Sequence, residues 1–295
     1  MFKGLTLSAF HARFKTDADC LDYLANLKWE KGFECKRCSH TSCRTGNTAR
    51  DKRCLGCGYE ESVTAQTIFH KIKFSLHAAF YICYRVSVAK KGMSSTELSR
   101  ELGLRQGTCW AFKRKIQQAM GSSGDYKLTG QVEVDEFAVG GPDKGAQGRS
   151  KGDKKLVTLI VERVKGDKVG RVYAHQIKDY SAKEIETVLD KYVEKEEATI
   201  KADCWSSYTK LAKTWTIEQE KSNQGKSFEK LHYVIMNFKG WLRGIHHKCS
   251  EEHMQGYLNE FCYRNNRRNH LNTAFHNLID RMLKTKPVFH KDFAF

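Results

Sequence analysis

Four cysteines near the start of the chain, Cys35, Cys38, Cys54 and Cys57, are spaced C-x2-C-x15-C-x2-C. Two close pairs, each folding as a tight knuckle, can set four thiolates tetrahedrally around one Zn²⁺. Gly56 and Gly58 in the second pair supply the left-handed backbone freedom that a knuckle uses. A pair of disulfides or a redox-active C-x2-C is the competing use of such residues. The doubled spacing favours the metal, so a small structural zinc ribbon is expected here. Ribbons of this size dock on partners or on nucleic acid, which makes the charge of the chain the next question.

The 295 residues include 51 Lys and Arg against 34 Asp and Glu, a formal net charge of +17. Such an excess makes a polyanion the expected partner, with nucleic acid ahead of a membrane surface. The basic residues form local runs at 151–155 and 264–268 and no tail. No apolar stretch approaches the roughly 20 residues of a membrane span. Met1, Phe2, Lys3, Gly4 and Leu5 lack the long apolar core of a signal peptide. A cytoplasmic, nucleoid-associated protein in a reducing compartment is expected. The other seven cysteines, Cys20, Cys43, Cys83, Cys109, Cys204, Cys249 and Cys262, then read as free, packed thiols. Two prolines in the whole chain exclude a linker-rich or disordered protein.

Periodicity places helices over residues 18–27 and 75–89, the second apolar on most sides through Leu76, Ala79, Phe80, Ile82, Cys83 and Val86. Short strands are expected within 52–64. A serine cap then opens a short helix that Gly103 stops, and a second helix runs over 106–120. Helix, glycine-containing turn and helix is the helix-turn-helix layout, whose second helix enters the major groove. On that reading Gln106, Thr108, Lys113 and Arg114 meet DNA; an ordinary helical hairpin is the alternative.

Beyond Ser122, Ser123 and Gly124 the pattern changes to strands at 131–137, 155–162, 169–176 and 198–203. Gly140, Gly141, Gly145 and Gly148 lie in a loop between the first two, and a helix at 181–192 is capped by Ser181. Three strands, a helix, a strand and further helices make an α/β pattern. Asp135 and Asp203 come near the ends of the first and fourth strands. If those strands are neighbours, the two carboxylates converge. Oxygen ligands select Mg²⁺ or Mn²⁺, and such ions support in-line phosphodiester displacement. A carboxylate capping a turn is the plainer use of either residue.

Ribbon, helix-turn-helix, Val134-Asp135-Glu136 and Ala202-Asp203, in that order, resemble bacterial insertion-sequence transposases with a DDE-type, RNase-H-like core. The resemblance is to the subfamily with an N-terminal zinc ribbon. The block at 237–247, with Asn237, Lys239, Trp241, Arg243, His246 and His247, and the block at 257–268, with Glu260, Arg264, Arg267 and Arg268, support it. The likeness spans about residues 15–270. It implies binding to the element's terminal repeats, then divalent-metal-dependent DNA cleavage and strand transfer. Asp135 and Asp203 carry over as metal ligands. Asn237 carries over as the third, because the subfamily often has Asn there; Glu260 is the alternative. Lys239 with Arg243, and Arg264 with Arg267 and Arg268, suit phosphate contacts. Of the adjacent His246 and His247, one is expected to touch phosphate or the metal-bound water while the other packs. Joining two DNA ends implies a homo-oligomer on double-stranded DNA.

The expected organisation is a helix and ribbon over 1–70, a helix-turn-helix over 71–122, an RNase-H-like mixed sheet flanked by helices over 123–280, and a tail over 281–295. The fold class is thus multidomain, α+β followed by α/β. A DNA-binding regulator, or a transposase copy that has lost catalysis, is the alternative function.

Overall fold

A computed structural model describes residues 1–141, 154–246 and 249–289. His247, Gly145, Gly148 and Lys151 lie outside the described residues. The chain forms two compact units, one of Met1–Met120 with Asn269–Phe295 and one of Gly121–Arg268.

The first unit opens with α1 (Leu7–Arg13) and α2 (Asp17–Lys28). Thr16 and Asp19 close a reciprocal capping box at the start of α2, which satisfies amide groups that a helix start leaves without partners. A small antiparallel sheet follows, β1 (Cys43–Thr45), β2 (Lys52–Cys54) and β3 (Glu60–Glu61), in the order β1-β2-β3. Next is α3 (Leu76–Val88), buried on nearly every side. Then α4 (Ser95–Leu102) and α5 (Gln106–Ala119) follow. Gly103 between them is left-handed, at φ 64°, a conformation that costs glycine nothing.

The second unit contains β4 (Leu128–Val139), β5 (Lys155–Val164), β6 (Lys168–Ile177), α6 (Ala182–Tyr192), β7 (Val193–Ala202), α7 (Ser206–Leu211), β8 (Ile217–Gln219), α8 (Glu229–Ile245) and α9 (Glu251–Asn265). Its strands are ordered β6-β5-β4-β7-β8. The first three pair antiparallel, and β4 with β7 and β7 with β8 pair parallel. This mixed five-stranded sheet with flanking helices is compatible with an RNase-H-like domain. Alternation along β4 sorts its side chains. Val132 and Val134 join the core containing Ile185, Val188 and Leu189 of α6. Phe137 joins the opposite core, with Leu231 and Phe238 of α8 and Tyr257 and Leu258 of α9. Asp135, two residues before Phe137, therefore faces the α8 side.

The outer edge of β6 is covered by α9. The Gln176 amide donates to Gln255 Oε1 at 2.9 Å, and Gln255 Nε2 donates to the Ala174 carbonyl at 3.2 Å. Asn266 accepts from the Val172 amide at 2.8 Å and donates to its carbonyl at 2.9 Å. Side-chain amides thus stand where a further strand would pair.

The last helix, α10 (Leu271–Lys284), belongs to the first unit. The sequence reading placed most of it in the catalytic domain and its end in a tail. Its apolar face, Ala274, Phe275, Leu278, Ile279 and Met282, is instead buried against α3 and its neighbours: Phe275 lies 5.8 Å from the Phe80 ring and 6.1 Å from that of Tyr84.

Candidate functional sites: a cysteine cluster and a carboxylate edge

The four cysteine sulfurs all lie within 4.8 Å of one another. Cys35 Sγ is 3.6 Å from Cys57 Sγ, and Cys38 Sγ is 3.6 Å from Cys54 Sγ. Tetrahedral Zn–S bonds of about 2.3 Å separate sulfurs by about 3.8 Å, so the cluster fits a structural zinc ion and is consistent with a zinc ribbon. The two knuckles repeat one backbone pattern. Cys35 N donates to His40 O and Ser39 N to Cys35 O; likewise Cys54 N donates to Tyr59 O and Gly58 N to Cys54 O. The last residue of each turn is left-handed, Ser39 at φ 58° and Gly58 at φ 70°. Gly56 is not left-handed, which corrects the expectation for it. Its role is steric, because a Cβ there would lie 3.0 Å from the His40 ring. At Cys35, burial opposes ionisation, but the Arg37 and Cys38 amides outweigh it and hold the thiol down to about 7.

The α4–α5 hairpin corrects the expected DNA face. Lys113 is 2% exposed, and its ammonium donates to the Met93 carbonyl at 2.6 Å. Arg114 is also buried, with its guanidinium 5.2 Å from the Trp110 ring centroid. Both lie on the inward side of α5 and do not offer a surface charge. Gln106 is exposed and donates to Ser95 Oγ at 2.7 Å, and Thr108 is half-buried. Arg100 and Arg105 are the exposed cations beside the turn.

Asp135 and Asp203 are brought to one edge of the second unit. The β4–β7 register pairs Glu133 with Lys201. Two residues further along these parallel strands, Asp135 and Asp203 come level. Each carboxylate also accepts a local amide, Asp135 Oδ1 from Glu136 at 2.8 Å and Asp203 Oδ1 from Trp205 at 3.0 Å. Tyr208 of α7, wholly buried in the core on the α6 side, donates its hydroxyl to Glu136 Oε1. Burial first, then the Glu136, Asp135 and Asp203 carboxylates, push this phenol far above its ordinary range. The donor set is oxygen-rich and suits a hard divalent cation.

Asn237 is exposed on α8. The residue of α8 that meets Asp135 is His232, whose Nε2 lies 3.9 Å from Asp135 Oδ2. At 100° per residue, Asn237 lies about 140° around the helix from His232, whereas Lys239 returns to within about 20° of it. Lys239 is half-buried with its ammonium 5.3 Å from the Phe137 ring centroid. Burial and Arg243 lower its pKa, and Asp135 opposes them. Arg243, four residues on, is exposed. His232 was missed, although it shares a helical stripe with Lys239 and Arg243.

Glu260 is not brought to this edge either. It is fully buried on α9, the helix that covers β6, and β5 separates β6 from β4. Arg264, four residues along α9, lies 6.0 Å from the Trp241 ring centroid and has its pKa lowered by burial, against the pull of Glu260. Arg267 lies 3.8 Å over the Tyr263 ring. Arg268 donates to the Gly170, Val169 and Asn265 carbonyls. Arg264 and Arg267 are thus half-buried against rings, and Arg268 is exposed while tied to β6. His246 stacks 4.2 Å from the Tyr257 ring, a packing role.

Among the described residues, the cysteines are the one close cluster of three or more His, Cys, Asp or Glu ligand atoms. No described helix is long and apolar enough to cross a membrane. Residues 127–266 match the family model of the ISXO2-like transposase domain. No curated protein matches the chain.

Proposed function

Because residues 127–266 belong to the ISXO2-like transposase domain family, we propose that this protein cuts and joins DNA strands at the edge formed by Asp135 and Asp203. The observation that carries this reading is their level placement on adjacent parallel strands, Asp135 within β4 and Asp203 just past β7, inside the matched domain. Asp135 and Asp203 would hold Mg²⁺ or Mn²⁺. When bound, such ions lower the pKa of an attacking water or 3′-hydroxyl and offset charge on the leaving oxygen.

The protein's own groups position the reactants. The Glu136 amide and the Trp205 amide each fix one oxygen of an aspartate and so orient the two carboxylates. Tyr208 holds Glu136 from beneath and keeps that buried carboxylate from competing as a ligand. Lys239 and Arg243 continue along α8 from the Asp135 side and would hold phosphate oxygens of the strand being cut. Recognition of the element ends falls to the ribbon and to the exposed start of α5, where Arg105 and Gln106 replace Lys113 and Arg114 as the groove contacts.

The test is strand cleavage and transfer by purified protein on DNA carrying the element's flanking repeats, with Mg²⁺ or Mn²⁺. Wild type is expected to give joined product, and Asp135→Asn to bind the same DNA without cutting it. Cleavage by Asp135→Asn at the wild-type rate would refute the assignment. Tight binding with no cleavage by either protein would support a regulator or an inactive copy instead.

A further inference from the structure

We propose that His232 Nε2 is a ligand of the catalytic metal site alongside Asp135, and that this nitrogen turns the site from Mg²⁺ toward Mn²⁺. The proposal rests on the metal-site reading above and adds to it the identity of the third residue and the metal preference that follows.

The geometry begins with separation. His232 Nε2 and Asp135 Oδ2 are 3.9 Å apart, too far for a hydrogen bond. Two donors each about 2.1 Å from one ion lie about 3 to 4 Å apart, depending on the angle between them. The pair is spaced for a shared cation. Access is also right, since the His232 side chain is 38% exposed and that of Asp135 20%. A buried structural pair would have neither.

The neighbouring groups leave His232 to this task. Glu133, on the same face of β4, is buried and faces Arg163, whose Nε lies 3.5 Å from Glu133 Oε1. Arg163 thereby occupies the other carboxylate within reach. Lys239, two turns further along the same stripe of α8, has its ammonium over the Phe137 ring. Asp203 comes level with Asp135 from β7, on a strand that α8 does not carry. Asp135 thus has a carboxylate level with it on the sheet and an imidazole 3.9 Å from it on the helix.

Chemistry then sets the preference. Mg²⁺ takes oxygen ligands and demands near-ideal octahedral geometry. Carboxylate suits Mg²⁺ and Mn²⁺ alike, whereas imidazole is a ligand of first-row transition ions, the series to which Mn²⁺ belongs and Mg²⁺ does not. An Asp-Asp-His set therefore discriminates against Mg²⁺ where an all-carboxylate set would not.

The experiment is Mn²⁺ binding to the full chain, followed by electron paramagnetic resonance, with ¹⁴N spin-echo modulation reporting a directly bound imidazole. Wild type is expected to bind Mn²⁺ and to show the modulation. Asp135→Asn should lose the bound signal. His232→Ala should lose the modulation and bind Mn²⁺ at least about tenfold more weakly, the lower end of what disturbing even an outer partner of a ligand costs. His232→Glu should bind Mn²⁺ without modulation, and Mg²⁺ should displace the ion more readily than in wild type. Asn237→Ala should change none of these. Asp135-dependent binding without ¹⁴N modulation, or modulation that survives in His232→Glu, would overturn the role of His232 and leave the carboxylate site standing. Absence of any Asp135-dependent binding would overturn the site itself.

Discussion

Lys113 is a buried cation turned toward a backbone carbonyl. Its ammonium is desolvated and donates to Met93 O, and a buried charge without that partner is costly. Lys113→Ala is therefore expected to lower stability by about 1–3 kcal/mol, the range for disturbing a charged buried hydrogen bond, measured by urea denaturation. DNA affinity at a temperature where the variant stays folded should be unchanged. An affinity loss without a stability loss would return Lys113 to the DNA face. The residue's spacing on α5 suited a solvated, DNA-facing cation. What fixes its direction is a carbonyl 20 residues earlier in the chain, which local pattern does not carry. Asp135 and Asp203 were legible for the opposite reason: one lies in a strand and the other just past one, and the alternation of each strand is visible in the residues beside it. His232 was not, because it becomes part of a site only when α8 is laid across the sheet.

The paired knuckles carry a prediction at the scale of the element. Ser39 and Gly58 occupy the same left-handed position in two superimposable hydrogen-bond patterns. A left-handed residue with a side chain costs about 1–2 kcal/mol. Ser39→Gly should therefore tighten zinc retention modestly, and Gly58→Val should weaken it, by competition with a chromophoric chelator. Equal retention by both variants would show that the metal does not depend on these turns. Element recognition from sequence succeeded where caps announce themselves. Ser75, Ser94 and Ser181 each accept from the amide three residues on. It failed at β8, whose three residues form a strand only because β7 lies beside them in parallel. The basic run at the end of α9 likewise shows in sequence only as charge, whereas Arg268 just past that helix ties carbonyls of β6.

For the whole molecule, the decisive element is α10. An amphipathic pattern shows that a helix has an apolar face but not which core that face fills, so the boundary between units was not readable from 271–284. Phe275 is 1% exposed and meets rings of α1, α2 and α3. Phe275→Ala is expected to destabilise the first unit by about 3–5 kcal/mol, with limited proteolysis cutting first within 1–120 and sparing 121–268. Cutting of the sheet unit first would place α10 in the other core. A different consequence concerns synthesis. Domains generally fold as the chain emerges, at about 5–20 residues per second. Here the sheet unit is continuous and is complete once residue 268 has left the ribosome, whereas α3 waits for α10, made after it. Throughout translation of the sheet, the nearly all-apolar α3 lacks part of its cover, and nascent-chain chaperones have their natural binding window there.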